Sequence, residues 1–451
     1  MAEIIPGREI MDEVDSHLEH VDCTKLFFTD LNGRLMNLSV NKHKIGEIFE
    51  NGVGFDGSSI AGFANVEHSD RILMPDAGTL WKIPFEEEKV GFFIANVLNE
   101  EGAPAAVDPR TILQEVVRSA EEEFGFRFLV GPEHEFFLLN GDEFALTAKR
   151  GFPSDVHTDQ AGYFHSTPHD KGQAIRQQIT DVLERCGVVY EKSHHEVTPS
   201  QHEINLECTD PVSAADRTLL FTYVAQRVAQ ENGFYASFMP KPFKEHNRNA
   251  FHMHLSVQDA EGTNLFYDES ADQNLSTVAR QFIAGILKYA RETSVVMAST
   301  VNSYKAYVVE KEAPIVRGWG FRNRSSMVRV PYTTSPSATR IELRNPDPAG
   351  NVYLQMATLI AMGLQGIREA LASDNPDKGS TYERDYQMKV WDERFLPRTF
   401  YEALVEAERS DFLKGFLGEK LYDNFMTLKI EEWEADRVHI SAREQRQYLS
   451  I

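Results

Sequence analysis

Several segments of this chain alternate apolar and ionisable residues with a period of two, the pattern of a β-strand with two different faces. In ATRIELRNPD, residues 338 to 347, Arg340, Glu342 and Arg344 share one face and aliphatic side chains occupy the other. Edge strands often carry charge, so this segment alone favours a solvent-exposed face. Further segments with the same pattern are needed to distinguish an exposed edge from a polar site.

Three further segments repeat this design. They carry Glu133 and Glu135 in GPEHEFF, His252 and His254 in FHMHLS, and Glu196 and Glu203 beside His194 and His195 in HHEVTPSQHEINLE. The flanking residues are apolar enough for core strands, and buried charge is costly unless it is paired or holds a metal. We therefore expect a shared polar channel, rich in carboxylate oxygens and suited to Mg2+ or Mn2+.

The strands alternate with segments of helical spacing, and this order predicts the fold class. The turn signal Asn32-Gly33 separates two alternating runs and predicts a hairpin. Helical spacing is found in PRTILQEVVRSAEEEFG, KGQAIRQQITDVLERCG, AADRTLLFTYVAQRVAQENG, LSTVARQFIAGILKYARE and YLQMATLIAMGLQGIREAL. Helices that come singly or in runs between hairpins favour an α+β fold with an antiparallel sheet over a doubly wound one.

Breaker residues divide the chain into two predicted domains. Gly, Pro and Asp cluster in NEEGAPAAVDP, which marks a boundary. We expect a small N-terminal domain over residues 1–107 and a larger domain over residues 108–451, which begins with a helix near Pro109.

Composition restricts the possible partners. Of the 451 residues, 42% are hydrophobic and 11% aromatic, enough for a large core. A net charge of -23 disfavours binding to nucleic acid or to an anionic membrane surface. No segment has the apolar length of a membrane span, and the 3 cysteines form no CxxC pair. We expect a cytoplasmic protein with small-molecule substrates.

Arginines supply the second half of the predicted site. Arg324 and Arg329 in NRSSMVRVP join Arg340 and Arg344. Divalent metal opposite clustered arginine is an arrangement that stabilises charge in phosphoryl transfer. The chain contains no GxxxxGK(S/T) motif, so a nucleotide would not be held by a P-loop. Each motif alone is more often structural, whereas together they favour metal-assisted phosphoryl transfer.

A further candidate is Asp56 in FDGSSI, residues 55 to 60. Asp followed by Gly and Ser commonly forms a turn that caps a helix, and this is the more frequent role of such a segment. The alternative is that the turn presents the Asp56 carboxylate into a cleft. The segment alone leaves both alternatives open.

These segments together resemble the glutamine synthetase family, in its prokaryotic form, along nearly the entire chain. The motifs that carry the resemblance follow the family's order and approximate spacing: FDGSSIAGF, GPEHEFF, HHEVTPSQHEI, FMPKP, HMHLS, NSYK, EAP, NRSS with RVP, and RIELRNPDP. The resemblance implies a small β-grasp-like N-terminal domain and a catalytic domain with a curved antiparallel sheet. It also implies a homo-oligomer of hexameric rings or a dodecamer, with active sites between neighbouring subunits.

The resemblance further implies a role for each ionisable residue. One metal would be held by Glu135, Glu196 and Glu203, and the other by Glu133, His252 and Glu342. ATP would lie near His254, Ser256 and Arg340, and the transferred phosphoryl group near Arg324, Arg329 and Arg344. The ammonium site would contain Asp56 of a neighbouring subunit and Glu312.

The chemistry implied is ATP-dependent ligation, with glutamate and ammonium or another cationic amine as the default substrates. The acid would attack the γ-phosphate of ATP to give an acyl phosphate, from which the amine would displace phosphate. Asp56 would take a proton from the ammonium form, and the loop of Glu312 would close to keep out water.

Two segments depart from the family pattern around the acid substrate. In NSYKAYVVEKEAP, Ala306 stands where the family has an arginine for the substrate's α-carboxylate. In NRNAFHMH, Asn247 is followed by Arg248, where the family has a glycine. A charged hydrogen bond is worth roughly 1.5 to 3 kcal/mol, which corresponds to about ten- to a hundredfold in affinity.

Three alternatives follow from these departures. Arg248 could replace the missing guanidinium, so that the protein makes glutamine. The rebuilt pocket could instead take another acid or a larger amine, as in relatives that form γ-glutamyl amides of alkylamines or polyamines. The third alternative is a non-catalytic, ring-forming regulatory paralogue. The complete set of predicted metal ligands argues against the third. In a non-catalytic protein these buried charges would lower the stability and bind no metal.

Overall fold

The computed structural model describes residues 21, 23–64, 68–83, 85, 90–143, 146, 152, 155–308, 313–381 and 391–451. A first β-sheet lies near the N-terminus, with strands β1 Cys23–Thr29, β2 Leu35–Val40, β3 Val53–Asp56, β4 Asp70–Pro75, β5 Trp81–Ile83 and β6 Val90–Leu98. The strand order is β2-β1-β6-β4-β3, and β5 pairs with β6. Strands β1 and β6 are parallel, and the other described pairs are antiparallel.

The predicted hairpin is confirmed, because β1 and β2 pair antiparallel around the Asn32-Gly33 turn. Gly33 has a φ of 85°, and a Cβ atom there would lie 2.7 Å from the Cα atom of Asn351. Both constraints require glycine. The hairpin tip therefore packs tightly against the larger part of the molecule.

The second sheet carries most of the residues with predicted function. Its strands are β7 Arg127–Asn140, β8 Tyr190–His195, β9 Gln201–Leu206, β10 Phe234–Ser237, β11 Phe251–Gln258, β12 Trp319–Phe321, β13 Val328–Val330 and β14 Ile341–Leu343. The order is β12-β13-β14-β11-β7-β9-β8, with β10 paired to β7. The described pairs are antiparallel apart from β12 and β13, so the sheet is mixed at this edge.

Helices surround the two sheets, and those predicted from the sequence are confirmed. The described helices are α1 Ile45–Asn51, α2 Pro109–Phe124, α3 Gln173–Arg185, α4 Pro211–Glu231, α5 Thr277–Tyr289, α6 Ser294–Met297, α7 Val352–Arg368, α8 Phe400–Glu408, α9 Asp411–Leu417, α10 Glu419–Arg437 and α11 Ala442–Tyr448. Helix α2 begins with Pro109 after the capping carboxylate of Asp108 and ends at a left-handed Gly125. No helix in the described part of the chain is long and apolar enough to cross a membrane.

The main hydrophobic core lies between the second sheet and the helices. Strand β11 contributes Met253 and Leu255 to this core, and β14 contributes Ile341 and Leu343, against apolar residues of α5 and α7. Side chains alternate along a strand, so the intervening ionisable residues of β11 and β14 face the opposite side of the sheet. The period-two pattern thus separates a core face from a polar face.

A buried ion pair joins the first sheet to the larger part of the molecule. Arg110, in the first turn of α2, donates from Nη1 to Oδ1 of Asn96 in β6 at 2.6 Å. Its Nε and Nη2 atoms donate to both carboxylate oxygens of Asp216 in α4, at 3.1 and 2.8 Å. Removing either partner of such a pair would leave a buried charge uncompensated. The two sheets are therefore fixed relative to each other, whereas the predicted boundary at residues 107 and 108 stays a prediction.

Candidate active site

The polar residues of the second sheet form rows across neighbouring strands. The first row contains Lys192, Asn205, Glu133 and His252, the second His194, Glu203 and Glu135, and the third His254, Glu342 and Arg329. Directly opposite residues on one face of a sheet lie within side-chain contact. Register alone therefore brings most of the predicted ligands together.

Apart from Asn205, the residues of these rows line a cavity of about 510 Å³. Its walls contain every residue of the predicted metal set and the predicted arginines, namely Glu133, Glu135, Glu196, Glu203, His252, Glu342, Arg324, Arg329, Arg340 and Arg344. Among the lining residues, two groups have ligand atoms within 4.8 Å of one another, namely Glu133, His254 and Glu342, and His194, Glu196 and Glu203. The charged face of β14 therefore lies against a cavity and is not an exposed edge.

Glu133 is held in the first group by two histidines. The Nε2 atom of His254 lies 2.8 Å from its Oε1 atom, and the Nδ1 atom of His252 lies 3.2 Å from its Oε2 atom. Burial raises the pKa of Glu133, but His254 and His252 outweigh this effect and hold the pKa well below its usual range. Burial and the nearby Arg344 lower the pKa of His252, which favours the neutral imidazole that can bind metal.

Glu342 connects the first group to the arginines. Its Oε2 atom accepts a hydrogen bond from Nη1 of Arg329 at 2.6 Å, and its Oε1 atom accepts one from Nη1 of Arg344. Burial raises the pKa of Glu342, but Arg344 and the nearby histidines outweigh this and bring the pKa to about 2. A fully buried carboxylate thus stays ionised and holds two guanidiniums in place.

The second group is organised around His194. Its Nε2 atom lies 3.3 Å from Oε1 of Glu203, and its Nδ1 atom lies 3.6 Å from Oε1 of Glu196. Glu135 points into the same cavity, where its Oε2 atom accepts hydrogen bonds from the backbone N–H of Ala250 at 2.8 Å and from Nε2 of Gln201 at 3.2 Å. His194 therefore joins the acidic cluster, although the sequence indicated no specific role for it.

The donors in both groups suit a hard divalent cation. Each group combines two carboxylates with one imidazole, and further carboxylate and imidazole donors face the same cavity. Mg2+ and Mn2+ prefer oxygen ligands and accept imidazole, whereas thiolates are not among the described lining residues. The residues present fit the predicted metal, while the assignment of individual ligands stays a prediction.

A second cavity of about 220 Å³ adjoins the first, and we call it the side slot. The residues predicted near ATP, His254, Ser256 and Arg340, all line it. Glu133, Lys192, His254 and Arg340 line both cavities, so the two are adjacent. Nε of Arg340 donates to Nδ1 of His254 at 3.1 Å, which fixes the imidazole between the two spaces.

Asp56 lies outside this cavity within one chain. The described residues that line the cavity run from Glu133 to Arg344, whereas Asp56 is exposed at the end of β3 in the first sheet. Its carboxylate accepts hydrogen bonds from Oγ and N of Ser58, at 2.7 and 2.9 Å, which lower its pKa. The turn-capping role is therefore confirmed. Glu312 lies outside the described residues.

The two altered residues of the substrate segments, Arg248 and Ala306, are buried. The guanidinium of Arg248 donates from Nη1 to the carbonyl oxygen of Asn345 at 3.0 Å and from Nη2 to that of Arg344. Ala306 ends a short 3-10 helix, Ser303–Ala306, and is also buried. Neither Arg248 nor Ala306 is among the described lining residues of the cavity. The backbone N–H of Asn247 lies 3.3 Å from Oγ1 of Thr198, beside the second group.

The sequence indicated no role for several residues at the cavity mouth. Tyr163 and Phe164 stack with ring centroids 4.0 Å apart, and the Phe164 ring meets His194 edge-on at 4.8 Å. Phe164 also has a φ of 60°, which is rare for a bulky residue. Lys192 and Tyr332 complete the rim. These residues lie in loops or on an edge strand, where no periodic pattern distinguishes them from exposed surface.

Comparison with known proteins gives the family of the chain. The family model "Glutamine synthetase, catalytic domain" matches residues 106–448, and "Glutamine synthetase, beta-Grasp domain" matches residues 20–100. Curated relatives include a "Glutamine synthetase" of Methanosarcina mazei, 39% identical over 94% of both chains. Another, from Mycolicibacterium smegmatis, is 38% identical over 95% of this chain and 96% of its own length.

A solved structure described as "Apo GmaS without ligand" superposes with a TM-score of 0.86. It is 29% identical in sequence and covers 97% of this chain and 99% of its own. The α+β fold with a β-grasp N-terminal domain is thereby confirmed. Because the two family models together account for most of its length, the chain belongs to the glutamine synthetase family and is a ligase of that ATP-dependent class.

Proposed function

We propose that this protein forms an amide from a carboxylic acid and an ammonium or amine, using ATP and an acyl-phosphate intermediate. One observation supports this above all: acidic groups from β7, β9 and β14, histidines from β11 and guanidiniums around β13 and β14 line the same cavity. Acids that hold divalent metal and arginines that hold phosphate are the two requirements of phosphoryl transfer.

Two divalent ions, Mg2+ or Mn2+, complete the proposed site. Glu135, Glu196 and Glu203 would hold one ion, and Glu133, His252 and Glu342 the other. His194 and His254 stand close enough to add an imidazole to each set. When bound, the ions would neutralise the charge of the ATP phosphates and orient the γ-phosphate.

The chain's own residues would govern the two chemical steps. In the first, a carboxylate oxygen of the acid forms a bond to the γ-phosphorus as the bond to ADP breaks, and Arg324, Arg329 and Arg344 stabilise the transferred charge. In the second, the amine nitrogen attacks the acyl carbon and phosphate leaves. The pairing of Arg329 and Arg344 with Glu342 supports this role, because fixed cations need no reorganisation during the transfer.

The nucleoside of ATP would occupy the side slot, beside His254, Ser256 and Arg340. The residues that the slot shares with the main cavity support this orientation, because the arginines line the main cavity. The triphosphate would then run from the slot toward Arg324 and Arg344. This arrangement puts the γ-phosphate between the acidic groups and the guanidiniums.

The site would be completed by a neighbouring subunit. Asp56 is exposed on the first sheet and is not among the described residues that line the cavity of its own chain, which supports a role at the site of another copy. We propose a homo-oligomer, in hexameric rings or a dodecamer, in which Asp56 accepts a proton from the ammonium substrate. Glu312 would close the same site against water.

The acid substrate is the part of the proposal for which this chain departs from the family pattern. Arg248 holds backbone carbonyl groups, so its guanidinium is not directed at the cavity. Because position 306 is an alanine, recognition of an α-carboxylate lacks both candidate guanidiniums. This favours the second alternative, a ligase for another acid or for a larger amine, over glutamine formation.

Phosphate release tests the function. Purified protein would be incubated with ATP, Mg2+ or Mn2+, glutamate or another acid, and ammonia, methylamine or putrescine. Release that requires one acid and one amine identifies the substrates and supports the ligase. Release without amine indicates hydrolysis of an acyl phosphate. No release across all acids and amines would favour the regulatory paralogue.

A further inference from the structure

A buried amide beside the acidic cavity has no protein partner. Asn205 of β9 is 2% exposed, and neither its Nδ2 nor its Oδ1 atom has a hydrogen-bond partner in the described part of the chain. Burying a polar group without a hydrogen bond is costly, and most buried polar side chains in proteins are paired. The Asn205 amide can therefore form hydrogen bonds with a ligand that binds beside it.

The strand register fixes the direction in which this amide points. Asn205 lies opposite Glu133 on one side and opposite Lys192 on the other. It lines the side slot, whereas it is not among the described lining residues of the main cavity. Glu133 and Lys192 line both spaces, so Asn205 stands at the junction between them.

A glycine lies on the wall of the slot that the amide also lines. Gly131 lies in the interior of β7 and lines the side slot. A Cβ atom at this position would meet Cβ of Cys208 at 3.4 Å and Cβ of His254 at 3.8 Å. A glycine inside a strand often marks the close approach of a ligand. Gly131 and the unpaired amide of Asn205 thus line the same slot.

We infer that Asn205 binds a ribose hydroxyl of ATP, which makes it a nucleotide-contact residue of the ligase. The inference rests on the proposed function, which orients the triphosphate toward the arginines and the nucleoside into the side slot. The ribose connects these two parts, so it lies at the junction where Asn205 stands. A hydroxyl both donates and accepts, and it can therefore pair with Oδ1 or with Nδ2 of the amide.

Binding measurements with matched nucleotides test this contact. The dissociation constants of ATP, 2′-deoxy-ATP and 3′-deoxy-ATP would be measured by calorimetry for the wild type, Asn205→Ala and Asn205→Leu. We expect both variants to bind ATP about tenfold more weakly than the wild type does. The nucleotide that lacks the contacted hydroxyl should bind to wild type and variants equally well, because it has already lost the interaction.

Stability measurements separate a ligand contact from a structural role. The amide makes no hydrogen bond to the described protein, so the ligand-free variants should melt no lower than the wild type. Thr358→Val is a matched control, because it removes a buried, unpaired hydroxyl from α7, and it should leave nucleotide affinity unchanged. Equal affinity of wild type and Asn205 variants for ATP would overturn the inference. So would an equal loss of affinity for all three nucleotides. Failure of the wild type itself to bind ATP would instead contradict the proposed function.

Discussion

Arg248 donates hydrogen bonds to two successive backbone carbonyl groups, and its Nη1 atom lies 3.0 Å from the carbonyl oxygen of Asn345. The hydroxyl of Tyr307 donates to the same oxygen at 2.9 Å. The segment that these bonds hold directly follows β14 and includes Arg344, which contacts Glu342. Arg248 therefore stabilises the backbone beside the site and is not free to bind an acid substrate.

The first prediction concerns recognition of the acid. Because Ala306 and Arg248 offer no guanidinium to an α-carboxylate, the wild type should use glutamate and 4-aminobutyrate with similar KM values. Ala306→Arg should lower the KM for glutamate by about tenfold and leave that for 4-aminobutyrate unchanged. Steady-state kinetics with both acids measure this, with a thermal melt to check folding. An unchanged glutamate KM in a folded variant would count against the pocket interpretation.

The second prediction concerns the backbone that Arg248 holds. Arg248→Met should lower the free energy of unfolding by about 2 to 3 kcal/mol, because buried carbonyl groups lose charged donors. Arg118→Met is the control, since Arg118 forms an exposed pair with Glu122 four residues away. That change should cost no more than about 0.5 kcal/mol. Urea titrations of both variants measure the difference, and equal effects would show that Arg248 is not a structural anchor.

The fold could be predicted from the sequence because period-two and helical patterns were both strong. Met253 and Leu255 alternate with His252 and His254, and the structure buries the first pair against helices while the second pair faces the cavity. The parallel pairing of β12 and β13 could not be predicted, since each strand is only 3 residues long. Pairing of such short strands is decided by tertiary contacts and not by local pattern.

The sequence predicted many of the residues that line the cavity but not which of them are direct neighbours. Alternation showed that Glu203 and His194 are ionisable strand residues, but it could not show that they are direct neighbours. A register shift between Tyr190 and Lys192 sets how β8 pairs with β9. Such an irregularity changes which side chains face the cavity and leaves little trace in the sequence. Asn205 was missed for a different reason. The feature that distinguishes it, an amide without a hydrogen-bond partner among the described residues, is visible only in the folded structure.

The third prediction tests the ion pairs that Glu342 forms with Arg329 and Arg344. Glu342→Gln removes the charge that pairs with Arg329 and Arg344, so it should lower kcat by at least about a hundredfold. It should also weaken Mn2+ binding, measured by electron paramagnetic resonance. Glu123→Gln breaks a surface pair with Arg368 and serves as the control. Retained Mn2+ affinity in the Glu342 variant would remove Glu342 from the proposed metal ligands.

The fourth prediction concerns a carboxylate behind the second group. Asp159 accepts hydrogen bonds from Nε2 of His195 at 3.0 Å and from the backbone N–H of Ser200 at 3.1 Å. The Nδ1 atom of His195 lies 2.6 Å from the carbonyl oxygen of Glu196, and Ser200 has a φ of 64°. Asp159 thus fixes the turn that carries Glu196.

Asp159→Asn should therefore weaken Mn2+ binding by about ten- to a hundredfold, as is typical when the support of a ligand is lost. The KM for the amine should change less than the affinity for Mn2+. Asp268→Asn alters an exposed turn and is the control. Calorimetry with Mn2+ measures the effect, and the result expected of a purely structural role is a lower melting temperature with normal metal affinity.

The fifth prediction concerns the pH dependence of stability. Burial raises the pKa of Asp347 to about 6, although Ser303, Arg248 and the backbone N–H of Ala349 favour the ionised form. The folded protein therefore binds a proton that the unfolded chain, with an ordinary Asp pKa of 3.8, has already lost. Protonated Asp347 makes its full contribution to the free energy of unfolding when the pH is below the pKa of the unfolded chain. This contribution is lost as the pH rises through about 6.

The neutral variant Asp347→Asn lacks this dependence. From about pH 4 to about pH 7, the free energy of unfolding of the wild type should fall by roughly 2.5 kcal/mol relative to the variant. Denaturant titrations of both proteins across this range measure the difference, and other titrating groups cancel because they are common to both. A constant difference would show that Asp347 is ionised in the folded state. In that case its nearby partner Arg248 would be neutralising it, and the second prediction would have to include the loss of an ion pair.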